Sequence, residues 1–336
     1  SKSVLKDYGK NLIAVVLAFA ILTVLMMTGI VNSYYKGIII FAFINIIIAS
    51  SLNLVTGYMG QMALGHAGFM ALGAYAAAIF ALAVDFPPIV ELVVGVILGG
   101  IVAGIFGILI GIPALRLRGD YLGIVTLGFG EIIRTALLNL EITGGAAGLK
   151  KIPGYIDFNQ MYILLVLVIT FLFLFIRSRH GRAILSIKED EIAAESIGIP
   201  TTFYKVYGFA ISAFIAGVGG GAFAYYQRTL DPKKFTFMLS VEFFIIVVLG
   251  GMGSLTGTII AALVLAFFSE MLHAIENLRL VIYAVILIIM MIFRPKGILG
   301  TAEFSLKRFP SDFKAFIEFI KTLSKPSKPA NSKGSK

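Results

Sequence analysis

Residues 51–78 read SLNLVTGYMGQMALGHAGFMALGAYAAA. The stretch is apolar enough to lie in a bilayer, yet Gly57, Gly60, Gly65, Gly68 and Gly73 punctuate it, with Gln61 and His66 standing inside the interruption. Each glycine costs a helix about 1 kcal/mol relative to alanine. In hydrocarbon, a backbone N–H or C=O released by a broken helix costs several kcal/mol more unless protein or a water-lined path receives it. A spanning segment with so many weak positions predicts a broken helix beside a pathway, with Gly57, Gly60, Gln61, Gly65 and His66 along it.

Outward from that stretch the chain keeps the same character. Of its 336 residues 59% are hydrophobic and only 14% charged, against about 25% charged in soluble domains. Apolar runs of the roughly 20 residues that cross a bilayer recur throughout. They are continuous rather than alternating, which excludes a membrane β-barrel and predicts an all-α, polytopic transmembrane helical bundle. The absence of cysteine removes disulfides, thiolate metal sites and thiol nucleophiles. His66, His180 and His273 are too dispersed for metal-ligand spacing, so no metal is expected. The net charge is +10, but from Arg294 onward ten lysines and arginines stand against three acids, so this stretch carries seven of the ten net positives. With no aromatic-interleaved platform, that charge reads as a membrane-side basic tail rather than a nucleic-acid surface.

The layout follows from charge and run length. Lys2, Lys6 and Lys10 precede the first run, 12–31, and predict a cytoplasmic N-terminus. That run is too long for a signal-peptide core and is kept as a span. Residues 37–56 run inward to the break and 67–84 return outward. Residues 89–112 carry Gly95, Gly99, Gly100, Gly104, Gly107 and Gly111, whose four-residue spacings leave one face bare for a neighbouring helix. Residues 121–140 hold Glu131 and Arg134, three apart and expected to form an intramembrane ion pair. The loop 142–158 is expected outside, long enough to fold over a pathway mouth. Residues 161–176 read as lipid-facing scaffold, 204–226 and 280–293 as further spans. Eight to ten spans are expected within a transmembrane domain covering 1–300. Residues 301–336 form a basic cytoplasmic tail, amphipathic over 309–323 and then partly disordered.

Two further stretches carry the argument. With both termini cytoplasmic, 235–268 must enter and leave on the outside, so it dips in, breaks at LGGMGSLTG (249–257) and returns, as 37–84 does. Gly57-Tyr58-Met59-Gly60-Gln61 lines up with Gly250-Gly251-Met252-Gly253-Ser254. Corresponding glycine-broken segments in two halves of a transporter point to its pathway, which adds Gly251, Gly253, Ser254 and Gly257 to it. Such breaks offer unpaired N–H groups to a carboxylate. The other stretch, 177–200, is dense in charge, with Ile184, Ile187, Ile192 and Ile197 at helical spacing and Gly198 and Pro200 as a stop. Its basic flank predicts a cytoplasmic helix that either lies on the membrane surface or receives force from a soluble partner. No GxxxxGK[ST] occurs, so ATP-driven work would come from another polypeptide.

The blocks SLNLVTGYMGQMALGHAGFMALGAY, LRGDYLGIVTLGFGEIIR, TGGAAGL, SRHGRAILSIKEDEIAAESIGI, VVLGGMGSLTGTIIAALV and RPKGILG follow one another between Leu52 and Gly300. In that order they resemble the inner-membrane permease of the branched-chain amino acid ABC transporters, the longer of its two permeases. The resemblance implies a non-enzymatic subunit of a heteromeric importer in the cell inner membrane. Its partners would be a second permease, two cytoplasmic ATPase subunits that bind the ATP, and a periplasmic binding protein delivering Leu, Ile or Val; no cofactor would sit on this chain. It also implies that 177–200 is the ATPase-coupling loop, with E-x-A-A-x-x-x-G at Glu191, Ala193, Ala194 and Gly198 and Arg182 in its basic flank.

Other classes stay open on the residues alone. A secondary carrier would use the same breaks with intramembrane carboxylates, for which Glu91, Glu131, Glu242 and Glu270 are the candidates. A channel would show a charged ring or a filter repeat, and neither is visible. A membrane hydrolase would need Ser254 and His273, which the layout puts most of a bilayer apart. Permeases similar to this one that carry urea or short amides are a further alternative.

Overall fold

Glycine governs how this chain packs. On a helix it removes the side chain that would otherwise hold a neighbour 8–10 Å away, and the glycines of 89–112 do this to two neighbours at once. The computed structural model describes residues 32–271 except 116 and 118, and beyond them positions 281, 282, 285, 288, 292, 297 and 300. The expected first span 12–31, most of 280–293, His273 and the tail 301–336 lie outside the described residues. The described elements are α1 (Ser33–Asn53), continued by a π-helical turn (Leu54–Tyr58), α2 (His66–Ala83), α3 (Pro88–Ala114), α4 (Asp120–Asn139) and α5 (Phe158–Arg177). They continue with α6 (Arg179–Glu189), α7 (Glu191–Ser196), α8 (Thr201–Gln227), α9 (Phe237–Gly250) and α10 (Leu255–Met271). Among the described residues there is no strand, only a bridge between Leu149 and Leu230. Among the described residues six segments are long and apolar enough to cross a membrane: α1 with its π turn, α2, α3, α4, α5 and α8, while α9 and α10 are shorter.

The axis is α8, whose 27 residues extend about 40 Å at 1.5 Å per residue. α3 runs antiparallel to it and α2 alongside. A Cβ added to Gly73 would stand 2.2 Å from the Gly217 carbonyl oxygen, one on Gly99 2.6 Å from that of Gly73, and one on Gly217 2.6 Å from that of Gly99. Three helices thus meet backbone to backbone at three glycines. The opposite face of α3 exposes Ile89, Val93, Ile97, Ile101, Ile105 and Ile112, a row suited to lipid.

α1, α9 and α10 form a second group against α8. α9 and α10 make a tight hairpin: a Cβ on Gly257 would lie 2.1 Å from the Gly250 carbonyl oxygen. The limbs of the other interrupted segment, α1 and α2, touch one another little and pack separately on α8. We refer to the end of the bundle carrying α6 and α7, where α5 stops and α8 starts, as the arm end, and to the other as the far end. At the far end the loop after α4 is tied to the α8–α9 connection by Leu149 N–H to Leu230 O (3.0 Å), Leu230 N–H to Leu149 O (2.8 Å) and Ile152 N–H to Arg228 O (3.1 Å).

Also at the far end, Lys36 Nζ lies 2.6 Å from Asp157 Oδ1, and the hydrogen bond to Lys36 holds the Asp157 carboxyl below its ordinary range. A depressed carboxylate stabilises the fold at pH above its unfolded value, and the contribution disappears as pH falls through the lower folded value. Because both side chains are substantially exposed, the pair is worth about 0.2–1 kcal/mol. Asp157→Asn should lower the melting temperature slightly at pH 7 and leave it unchanged well below pH 3, as melting curves at the two pH values would show.

Candidate functional site

A broken helix inside a bundle must hand its backbone polar groups to something, and tracing those groups locates the site. After the π turn, residues 59–65 leave helical conformation and climb back into the bundle until α2 starts at His66. Several N–H groups here find partners within the chain. Gln61 N–H bonds Val55 O at 3.0 Å, Leu64 N–H bonds Thr126 Oγ1 of α4 at 3.0 Å, and Ala67 N–H bonds Ser240 Oγ of α9 at 2.9 Å. The sequence suggests that such breaks offer unpaired N–H groups to a carboxylate; those of Gln61, Leu64 and Gly253 are instead taken by this chain.

The second break, 251–254, meets the first through one side chain. Asn53, fully buried on the last turn of α1, donates from Nδ2 to Ser254 O (2.9 Å) and to Thr258 Oγ1 (2.8 Å), while its Oδ1 accepts from Gly253 N–H (2.9 Å). Gly253 turns the chain with φ +94°, a conformation that side chains disfavour. Gly57 is filled by the same contact: a Cβ there would lie 1.9 Å from Asn53 Oδ1 and 2.3 Å from the Gly253 nitrogen. Gly251 is met from the chain beyond α10, where a Cβ added to Gly297 would stand 2.5 Å from Gly251 Cα. Ser254 Oγ accepts from Gly257 N–H at 3.0 Å, closing the start of α10. The two glycine breaks that looked alike are therefore in direct contact, joined by an asparagine that sequence reasoning passed over. Its signal was an amide one turn before Gly57, in a run whose only other amide is Asn45.

The remaining candidates fall in several places. Gly57, Gly65, His66, Gly251, Gly253, Ser254 and Gly257 are buried, whereas Gly60 and, in part, Gln61 reach the surface. His66 Nε2 lies 2.9 Å from Ser212 Oγ, which itself donates to Ser51 O at 2.5 Å. Since the serine proton is spent on that carbonyl, His66 carries its own on Nε2, and its buried Nδ1 has no partner among the described residues. The histidine thus links α2, α8 and α1. Arg134 Nε donates to Glu131 Oε2 at 2.7 Å, and Glu131 Oε1 accepts the Phe237 N–H at 3.0 Å, so the acid also caps the start of α9. Glu91 is buried on the first turn of α3, and Glu242 and Glu270 line a cavity at the far end. Ser254 lies at the break, and its hydrolytic partner candidate His273 is outside the described residues.

At the arm end, α6 begins at Ser178, whose Oγ accepts from Gly181 N–H, and α7 at Asp190, whose Oδ1 accepts from Ile192 and Ala193 N–H at 2.9 and 3.0 Å. Two caps, at Ser178 and Asp190, make two short helices where periodicity suggested one. Ile184 and Ile187 are buried against the bundle, while Ile192 and Ile197 are 75% and 76% exposed. Glu191 Oε1 accepts from Lys205 Nζ at 2.6 Å, seating α7 on the first turns of α8. Ala194 is buried, whereas Arg182, Ala193 and Gly198 are exposed. The inner face of the arm reaches the first break. The stem of Lys188 crosses Gly60, where an added Cβ would stand 3.0 Å from Lys188 Cγ, and Ile184 and Met59 converge on Gly208.

Residues 34–293 match the family model described as branched-chain amino acid transport system, permease component. The chain is 38% identical over 245 residues to the high-affinity branched-chain amino acid transport system permease proteins LivM of Salmonella typhimurium and Escherichia coli, covering 62% of this chain. It spans 58% of the length of those relatives. It is also 32% identical over 146 residues to the E. coli permease protein LivH, covering 43% of this chain and 47% of LivH. No solved structure matches it.

Proposed function

The chain belongs to the family of branched-chain amino acid transport permease components, and on that premise we propose that it is one of two membrane subunits of an ATP-driven importer. The relatives' names supply the substrate class, Leu, Ile and Val, and the similarity to both LivM and LivH supports a second permease of the same family as its partner. The importer would sit in the inner membrane, with the arm end toward the cytoplasm, where separate ATPase subunits bind ATP. A periplasmic binding protein would deliver substrate at the far end.

The observation that carries this reading is the two-sided arm. One face of α6–α7 presents Ile192 and Ile197 to the outside, and the other rests on Met59 and Gly60 at the break. Two isoleucines so exposed on one short charged arm invite a partner, because apolar surface gains about 25 cal/mol per Å² on burial. A subunit gripping that face would move the segment leading directly to the Asn53 junction. Under this proposal the pathway follows the seam between α1, α9 and α10, with the Asn53 clamp as its closure. Gly60, Gln61, Gly253 and Ser254 would lie on its cytoplasmic side.

The test is the double substitution Ile192→Glu/Ile197→Glu in the assembled transporter. Both side chains are exposed, so the chain should insert and fold normally. ATP-dependent leucine uptake should fall more than ~10-fold as the loss of two apolar anchors weakens docking, and the ATPase subunits should no longer co-purify. Unchanged uptake would remove the docking role from the arm. Leucine uptake by vesicles holding this chain alone, without ATPase subunits, would favour a secondary carrier or a channel.

A further inference from the structure

The seam that holds the Asn53 clamp widens at the far end into a cavity of about 500 Å³, within the roughly 300–1,000 Å³ typical of small-molecule sites. Its walls come from α1, α2, α8, α9, α10 and the turn before α9. Two kinds of surface divide it. Phe41, Phe243, Ile246 and Leu265 line it a turn or more in from the helix ends. Around them stand Glu242, Glu270 at the end of α10, and Lys234 just before α9. The Tyr34 hydroxyl donates to Glu270, holding that carboxylate at the rim. The deeper wall is continuous with the clamp: Leu265 is seven residues along α10 from Thr258, two turns on the same face and about 10 Å away.

We propose that this cavity is an amino-acid site belonging to the permease itself. The aliphatic side chain points inward against Phe41, Phe243, Ile246 and Leu265, the ammonium is received by Glu242 and Glu270, and the carboxylate by Lys234. An aliphatic amino acid presents three surfaces, one apolar, one positive and one negative, and the cavity offers a counterpart to each. An amino acid brings a counter-charge to each of these groups, whereas urea or a short amide carries no charge and brings none. The cavity therefore selects amino acids over amides. This inference rests on the importer reading and adds a holding site between delivery at the far end and passage at the clamp.

The assembled complex, without its binding protein and in lipid nanodiscs, would be titrated by calorimetry with L-leucine, 4-methylpentanoate (no ammonium), 3-methylbutylamine (no carboxylate) and urea. Leucine should bind and each of the others should bind at least ~10-fold more weakly, the worth of one charge-assisted contact. Glu242→Gln should reduce the preference for leucine over 4-methylpentanoate, and Lys234→Gln should abolish the preference over 3-methylbutylamine. No leucine binding to the wild-type complex, or unaltered preferences in both variants, overturns the proposal. A parallel uptake assay with binding protein and ATP separates the two readings. If wild-type uptake is normal and the Glu242→Gln/Lys234→Gln double variant matches it, the cavity site falls and the importer stands. If the wild-type complex takes up no leucine, the importer reading falls.

Discussion

Asn53→Leu is expected to abolish uptake. Leucine keeps the branched outline of asparagine but is larger, so the site at the end of α1 stays filled, and somewhat crowded, while three buried hydrogen bonds vanish: those to Ser254 O, to Thr258 Oγ1 and from Gly253 N–H. Ser254 O keeps its bond from Thr258 Oγ1, but the Gly253 N–H is left facing hydrocarbon, and an unmet buried group costs about 1–3 kcal/mol. With the lost bonds added, destabilisation of about 2–4 kcal/mol is expected, concentrated where the two breaks meet. Thr258→Val, which removes one of the three contacts and keeps the shape, should cost about 0.5–1.5 kcal/mol and reduce uptake only partly. Thermal melting of the purified complex and leucine uptake in proteoliposomes check both. Asn53→Leu protein that melts and transports like wild type would mean that the junction plays no part in closure.

Reversal of charge at Glu191 should separate ATP hydrolysis from transport. The Glu191 carboxylate partners Lys205, whose side chain is only 6% exposed. Glu191→Lys puts a second cation beside a buried ammonium. Losing a partner from a fully buried pair costs 3–5 kcal/mol, and because Glu191 is partly exposed we expect about 1–3 kcal/mol here. That energy is concentrated at the seat of α7, so the arm should detach from α8 while the distant helices stay assembled. Uptake should drop at least ~10-fold with ATP hydrolysis retained. The exchange Glu191→Lys/Lys205→Glu restores opposite charges and should recover much of the coupling. A double variant no better than the single one would show that the ion pair does not hold the arm.

How much of this was legible beforehand varies with the distance over which residues act. The bundle, and the glycine stripe of α3, follow from run length and four-residue spacing, because helical periodicity is a local property. Both interruptions were visible for the same reason. Their meaning was less so. A glycine that leaves room for a substrate and one that leaves room for another backbone look identical in a sequence, and Gly57 is of the second kind, filled by Asn53 and Gly253. The Asn53 contacts join residues 200 and more positions apart, and nothing in either segment states that they meet. The two interrupted segments also proved unequal: α9 and α10 close on each other, while α1 and α2 part around α8. In the arm, Asp190 was counted as one acid in a charged run, and its capping role appears only once the helix ends are seen.

The junction of Gly73, Gly99 and Gly217 has a mechanical consequence. Three backbones in contact have no rotamers to change and no side chains to slide, so α2, α3 and α8 cannot shift by the small repackings that let helices glide. Under the proposed transport cycle they would serve as the stator, and the moving part would be the shutter of α1, α9 and α10, whose two breaks meet at the Asn53 amide.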